Sequence, residues 1–157
     1  MLLPIADRAR AILFAIAGSL LALSARASEA DLDLSRYRGQ VVVVDFWASW
    51  CKPCRESIPW LNEMRSRYAA GGLVVIGVNV DAEHADAEKF LRDVPIRFDI
   101  VFDPSGALAQ RFNVAGMPTT LFFDRTGKLV QSRIGFRVAH KDDEEASLQK
   151  LLSQKTE

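Results

Sequence analysis

The chain has only two cysteines, Cys51 and Cys54, and that scarcity excludes much. No second Cys-x-x-Cys accompanies them, and the two histidines, His84 and His140, lie far away in sequence. A structural zinc site takes four such ligands, so half of one is missing. Arg55, not histidine, follows Cys54, so the attachment motif for c-type haem is absent. No cysteine stands near residue 27 that could carry an N-terminal lipid. The uncharged run Ala11–Leu23 has 13 residues, short of the roughly 20 that span a bilayer. Repeats and low-complexity segments are missing as well. Twenty basic residues balance twenty acidic ones, with no basic face or basic amphipathic helix. That argues against nucleic acid and lipid surfaces as partners.

What is present begins with export. Arg8 and Arg10 precede the uncharged run, and Ser24-Ala25-Arg26-Ala27 follows it with small residues. Basic segment, short apolar segment and Ala-x-Ala site read as a secretory signal peptide over residues 1–27. An uncleaved N-terminal anchor facing the same compartment is the alternative. Residues 28–157 then form one domain, with 17 Lys and Arg against 19 Asp and Glu. A periplasmic location follows, where exposed thiols tend to be oxidised. A disulfide across two intervening residues closes so small a loop that it removes little unfolded-state entropy. A purely structural staple is therefore a poor use of these cysteines.

Strands and helices alternate along the domain. Val41–Trp47 is apolar on both faces save Asp45, which predicts a central strand of an α/β sheet. From Pro53 to about Tyr68 the spacing of Ile58, Leu61, Met64 and Tyr68 predicts a helix, with a kink at Pro59. Leu73–Val80 is a second buried strand. Asp81–Arg92 reads as a helix, with Ala85, Phe90 and Leu91 inward and Pro95 beyond its end. Phe98–Phe102 is a short strand and Ala107–Phe112 a short helix. Thr119–Phe123 and Lys128–Ile134 form a hairpin, with Gly127 suited to a positive φ. Asp142–Gln154 is a terminal helix with Leu148, Leu151 and Leu152 inward.

The cysteines sit just after the first strand, in Trp50-Cys51-Lys52-Pro53-Cys54. A strand ending in Cys-x-Pro-Cys presents a reactive dithiol at a helix start. The run Asp45-Phe46-Trp47-Ala48-Ser49-Trp50-Cys51-Lys52-Pro53-Cys54 resembles a thioredoxin-family active site. Met117-Pro118-Thr119-Thr120 resembles that family's cis-proline loop, and Pro59 its helix proline. The likeness covers residues 34–154. Export and an additional helix and strand between Asp81 and Gly116 make the chain similar to the TlpA/ResA-like periplasmic thiol–disulfide reductases. The resemblance implies a thioredoxin fold: a central mixed sheet flanked by helices, with an extra helix–strand insertion before the cis-Pro loop.

Cys51 is expected to be the nucleophile, because free N–H groups and the dipole at a helix N-terminus favour a thiolate. Pro53 suits the first turn, where its missing N–H has no partner to lose. Cys54, one position on, is expected to be more buried and to act as the resolving thiol. The resemblance implies that Asp45 relays a proton as general base for Cys54. It also implies that Met117 offers backbone to an incoming peptide while Pro118 faces the cysteines. Trp50 offers substrate an apolar contact, whereas Trp47 belongs to the core. Both histidines are expected on the solvated surface.

The activity implied is reduction of substrate disulfides through the Cys51/Cys54 dithiol, with no other cofactor. The partners implied are disulfide-containing exported proteins, among them apocytochrome c or copper-site proteins, and a membrane thiol donor of the DsbD or CcdA type. A monomer is expected. The chain departs from the ResA-like pattern at Ser57, where those proteins often carry glutamate, and that departure weighs against a narrow role in cytochrome maturation. Two further readings stay open: a dithiol oxidase of the same fold, and a Cu(I) carrier using Cys51, Cys54 and Met117 as soft ligands.

Overall fold

The computed structural model describes residues 32–154. The expected signal peptide, residues 1–27, lies outside them. No helix of the described residues is long and apolar enough to cross a membrane.

The first strand, β1 (Val41–Trp47), is buried at every position. Four successive valines suit a pleated surface covered on both sides. β1 pairs in parallel with β2 (Leu73–Asn79) and antiparallel with β4 (Thr119–Phe123). β3 (Asp99–Phe102) extends the parallel side, and β5 (Leu129–Ile134) returns from β4 as a hairpin. The five-stranded order is β3-β2-β1-β4-β5, a mixed sheet. β1 is thus the central strand, as its apolar run predicted. The segment between β2 and β4 supplies helix α2 (His84–Asp93), edge strand β3 and helix α3 (Ala107–Arg111).

Alternation along β1 divides the core. Val41 and Val43 pack with Trp60, Leu61 and Met64 of helix α1 (Cys54–Tyr68) and with Leu148 and Leu151 of helix α4 (Lys141–Ser153). Val42, Val44 and Phe46 face the other way, toward Leu32, Leu108 and Phe123. At the C-terminal end of β1, Trp47, Cys51, Cys54 and Ile58 meet Ala87 and Phe90 of α2. Burying one side chain such as Ile58 or Leu61 is worth roughly 1.5–3 kcal/mol, so this face of α1 holds the cysteines against a firm base.

Several boundaries differ from the sequence reading. β2 stops at Asn79, not Val80, and α2 begins at His84, not Asp81. The cause is local competition: the Asn79 side chain donates to the Asp81 carboxylate and accepts from the Asp81 N–H, and that carboxylate accepts from Ser49, in place of continued strand or helix bonding. One inward position of the helix also differs. Ala85 is exposed, and Ala87 is buried beside Phe90, with Leu91 half-buried. Pro59 lies within α1, and the helix continues through it to Tyr68. Gly72, at φ +90°, and Gly127, at φ +76°, make turns that a side chain would strain.

Candidate active site

The path into the site is set by the end of β1. Cys51 N–H bonds to the Ala48 carbonyl at 3.1 Å, closing a turn directly after the strand. Asp81 accepts from Ser49 N–H at 2.9 Å and from Ser49 Oγ at 2.8 Å, and Asn79 Nδ2 bonds the same carboxylate at 2.7 Å. The turn that carries Trp50 and Cys51 is therefore tied to the end of β2. Asp81 and Ser49 were not singled out from sequence; an acid directly after a buried strand was the available signal.

Cys51 and Cys54 form a disulfide, with Cα atoms 5.4 Å apart. Pro53 stands at the N-cap of α1 with helical φ and ψ, and Cys54 is the first helical residue. The Cys54 N–H points back to Cys51 Sγ at 3.2 Å. That donor, at the N-terminus of α1, is shared between the Cys51 carbonyl, also at 3.2 Å, and the sulfur on which a thiolate would form. Cys54 is wholly buried and Cys51 nearly so, at 3% exposure. Lys52 is exposed, and Trp50 is 69% exposed, projecting beside the disulfide in sequence and standing clear of the core. Trp47 is buried against Phe90, as a core residue should be. Ser57 is buried, and its hydroxyl bonds to the Cys54 carbonyl at 3.4 Å, while Glu56 is exposed.

The Met117–Pro118 peptide is cis. The Pro118 carbonyl accepts from Gly135 N–H at 2.7 Å, and Thr119 Oγ1 bonds the Gly116 carbonyl at 2.7 Å. Among the described residues no hydrogen bond is made by the N–H or carbonyl of Met117. Its side chain packs on the cluster that contains both cysteines. A free backbone edge beside the disulfide is what an extended peptide needs in order to pair.

Asp45 lies in the middle of β1 with no exposure. It shares a strand face with Val43 and Trp47 by alternation, which is the face covered by α1 and the cysteines. Thr120 Oγ1 donates to Asp45 Oδ1 at 2.7 Å, and Oδ2 has no partner among the described residues. Burial drives its pKa up to about 7; the Thr120 bond opposes the rise and the charge of Glu144 adds to it. An acid of this kind gives and takes protons near neutral pH. Thr120, Arg133 and Glu144 around it were not identified from sequence. Strand pairing brings in Thr120 and Arg133, and Glu144 joins them from α4 through its ion pair with Arg133.

His84 and His140 are both exposed, as expected. His84 does have neighbours: its ring rests 4.1 Å from that of Phe102, and Glu88 is 3.5 Å away. Among the described residues no group of three or more His, Cys, Asp or Glu could hold a metal ion.

Residues 18–132 match the AhpC/TSA family. The thiol-disulfide oxidoreductase ResA of Geobacillus kaustophilus is 35% identical over 118 residues, 75% of this chain and 67% of that protein. The alignment with ResA of Bacillus thuringiensis covers 58% of its length. The chain thus spans about two thirds or less of these curated relatives. Among solved structures, one assigned as the thiol:disulfide interchange protein DsbE from Chlorobium tepidum is 46% identical. It matches with a TM-score of 0.75 over 78% of this chain and 86% of its own. The exposed lipoprotein thioredoxin Etrx1 from Streptococcus pneumoniae is 33% identical, with a TM-score of 0.65 over 75% of this chain and 90% of its own.

Proposed function

The chain belongs to the AhpC/TSA family, among its thioredoxin-like thiol–disulfide oxidoreductases, and on that footing we propose that it is an exported reductase of protein disulfides. The observation that carries the reading is the Cys51–Cys54 pair at the start of α1, with a helix N–H on Cys51 Sγ. In the reduced protein, the Cys51 thiolate attacks a substrate disulfide. A Cys51–substrate disulfide forms, and the first substrate sulfur leaves as a thiolate and takes a proton from solvent. Cys54 then passes its proton to the Asp45 carboxylate and attacks Cys51 Sγ. The Cys51–Cys54 bond forms, the mixed disulfide breaks, and the second substrate sulfur departs. Two electrons pass from the two cysteines to the substrate.

Met117 supplies the backbone edge for the substrate, Pro118 closes that edge over the cysteines, Trp50 provides an apolar contact, and Pro53 sets the helix start. The dithiol is the only cofactor the reaction needs. Residues 1–27 serve as the export signal, which places the protein in the periplasm. The substrates are exported proteins with disulfides, a class that includes apocytochrome c and copper-site proteins. Ser57, in place of glutamate, speaks for the broader class. A membrane thiol donor of the DsbD or CcdA type returns the electrons.

The test is reduction of insulin disulfides by the purified protein, together with the reduction potential of the Cys51–Cys54 pair. Cys51→Ser is expected to abolish turnover. A potential near about −120 mV, typical of a strong oxidant, would overturn the reductase direction and leave a dithiol oxidase.

A further inference from the structure

Asp45 receives its charged neighbours from one side only. On β2 its parallel partner is Gly77, which brings no side chain. A Cβ there would come within 3.0 Å of Trp47 Nε1 and 3.1 Å of Phe98, so that side is closed by packing. α1 faces Asp45 with Cys54, a thiol once reduced, and the other charged residues in its first turn, Arg55 and Glu56, are exposed. On the remaining side, β4 places Thr120 opposite Asp45, and β5 places Arg133 opposite Thr120.

Directly opposed residues of antiparallel strands share a face. Asp45, Thr120 and Arg133 therefore form one polar row across three strands. Arg133 continues the row into α4: its Nη1 lies 3.5 Å from Glu144 Oε1, and its Nη2 bonds Ser147 Oγ at 3.3 Å. Glu144 is 5% exposed. It stands one turn before Leu148, which packs in the same cluster as Val43, two residues from Asp45 on the same face. A buried glutamate in the first turn of a core helix is costly unless something uses or neutralises it. Burial pushes the Glu144 pKa up, and the charges of Arg133 and then His140 oppose that rise.

We propose that Glu144, held by Arg133, is a positioning residue for the redox reaction, and that this pair sets the proton affinity of Asp45. The assignment rests on the reading of Asp45 as the base for Cys54. A carboxylate in the field of Asp45 makes that residue hold its proton more tightly, and the guanidinium limits the effect. Together they keep Asp45 able both to take the Cys54 proton and to release it. The pair does not touch the sulfurs; it acts through Asp45.

The experiment is a carbon-13 NMR titration of the Asp45 carboxyl in the full oxidised protein, compared across variants. Glu144→Gln leaves Arg133 unbalanced and is expected to lower the Asp45 midpoint by about one pH unit. Glu144→Asp is expected to stay near the parent. Combining Glu144→Gln with Arg133→Met removes both charges and is expected to bring the midpoint back toward the parent, which loss of packing would not do. A midpoint unmoved in Glu144→Gln, or still depressed in the double variant, overturns the proposal. Arg133→Met alone is the second arm should Glu144→Gln not fold: its midpoint stays at or above that of the parent, and a fall overturns the proposal. The titration involves no turnover. Failure of the reductase reading leaves its result intact, and an unmoved midpoint leaves the reductase reading intact.

Discussion

Thr120 Oγ1 gives the Asp45 carboxyl its one hydrogen bond among the described residues, at 2.7 Å, across the pairing of β4 with β1. The residue that follows the cis-proline by two positions thus reaches the acid beneath the disulfide. The cis-proline loop and the buried acid are joined through a single hydroxyl.

The first prediction concerns pH and stability. The Asp45 pKa is about 7 in the folded chain, against 3.8 unperturbed. The sign follows from the direction: a raised acid favours the fold while protonated, so its contribution is whole below about pH 4 and lost as pH rises through about 7. The loss amounts to about 4 kcal/mol. Asp45→Asn removes this dependence. Urea unfolding of the oxidised proteins should show the variant gaining on the parent from pH 4 to pH 8. Equal gaps at all pH values would refute the buried-acid account. In turnover, Asp45→Asn should slow resolution of the mixed disulfide far more than its formation.

The tie from Asp81 to Ser49 is the second. Asp81→Ala strands the Ser49 N–H and the Asn79 amide, at a cost of roughly 1–3 kcal/mol for buried donors left unpaired. It also frees the turn that carries Cys51. Both the unfolding midpoint and the pH at which the Cys51 thiolate forms, read by ultraviolet absorbance, should move. Asp81→Asn keeps an acceptor oxygen and should recover most of each. If Asp81→Ala lowers stability but leaves the thiolate titration in place, the tie does not position the site.

Trp50 gives the third. At 69% exposure it does little for the core, so Trp50→Ala should change stability by no more than about 0.5 kcal/mol. Its loss should fall on recognition: kcat/KM for a protein disulfide should drop about tenfold, equivalent to ~1.4 kcal/mol. A small-molecule disulfide should be reduced almost as before. Equal losses on both substrates would assign Trp50 to the chemistry.

The fourth rests on Arg125, whose guanidinium donates to the carbonyls of Gly39, Gly71, Leu152 and Gln154. Four acceptors from three distant segments suit a planar fork, and one ammonium could not serve them all. Arg125→Ala should cost roughly 1–3 kcal/mol, and Arg125→Lys should restore only part. The reduction potential should be unchanged in both, which separates this clamp from the site.

The elements legible in the sequence were those whose signal is local. Six apolar positions interrupted only by Asp45 fixed β1, and an apolar stripe at helical spacing fixed α1. The Cys51–Cys54 pairing, the burial of Asp45 and the cis bond at Pro118 were legible because each belongs to a short motif. Position 81 was misread because its side chain bonds across 32 residues to Ser49, a contact no window on the chain contains. The inward face of α2 was misread with it: Ala87, Phe90 and Leu91 follow the three-and-four spacing of one helix face, and Ala85, five residues before Phe90, lies off it. Asp45, Thr120 and Arg133 come together only through strand register, and Glu144 only through the packing of α4 on the sheet. A row of opposed residues is a property of the sheet and not of any one segment.

Both sulfurs are anchored by contacts that do not depend on the bond between them. Cys54 opens a helix seated by Ile58, Leu61 and Met64, and Cys51 rides on a turn tied to Asp81. These anchors are therefore expected to hold the centre in place when the disulfide is reduced. Electrons can pass with little reorganisation, and backbone amide shifts on reduction should be confined to residues near 50–54 and 116–119. A wider response would mean that the disulfide itself holds the site in shape.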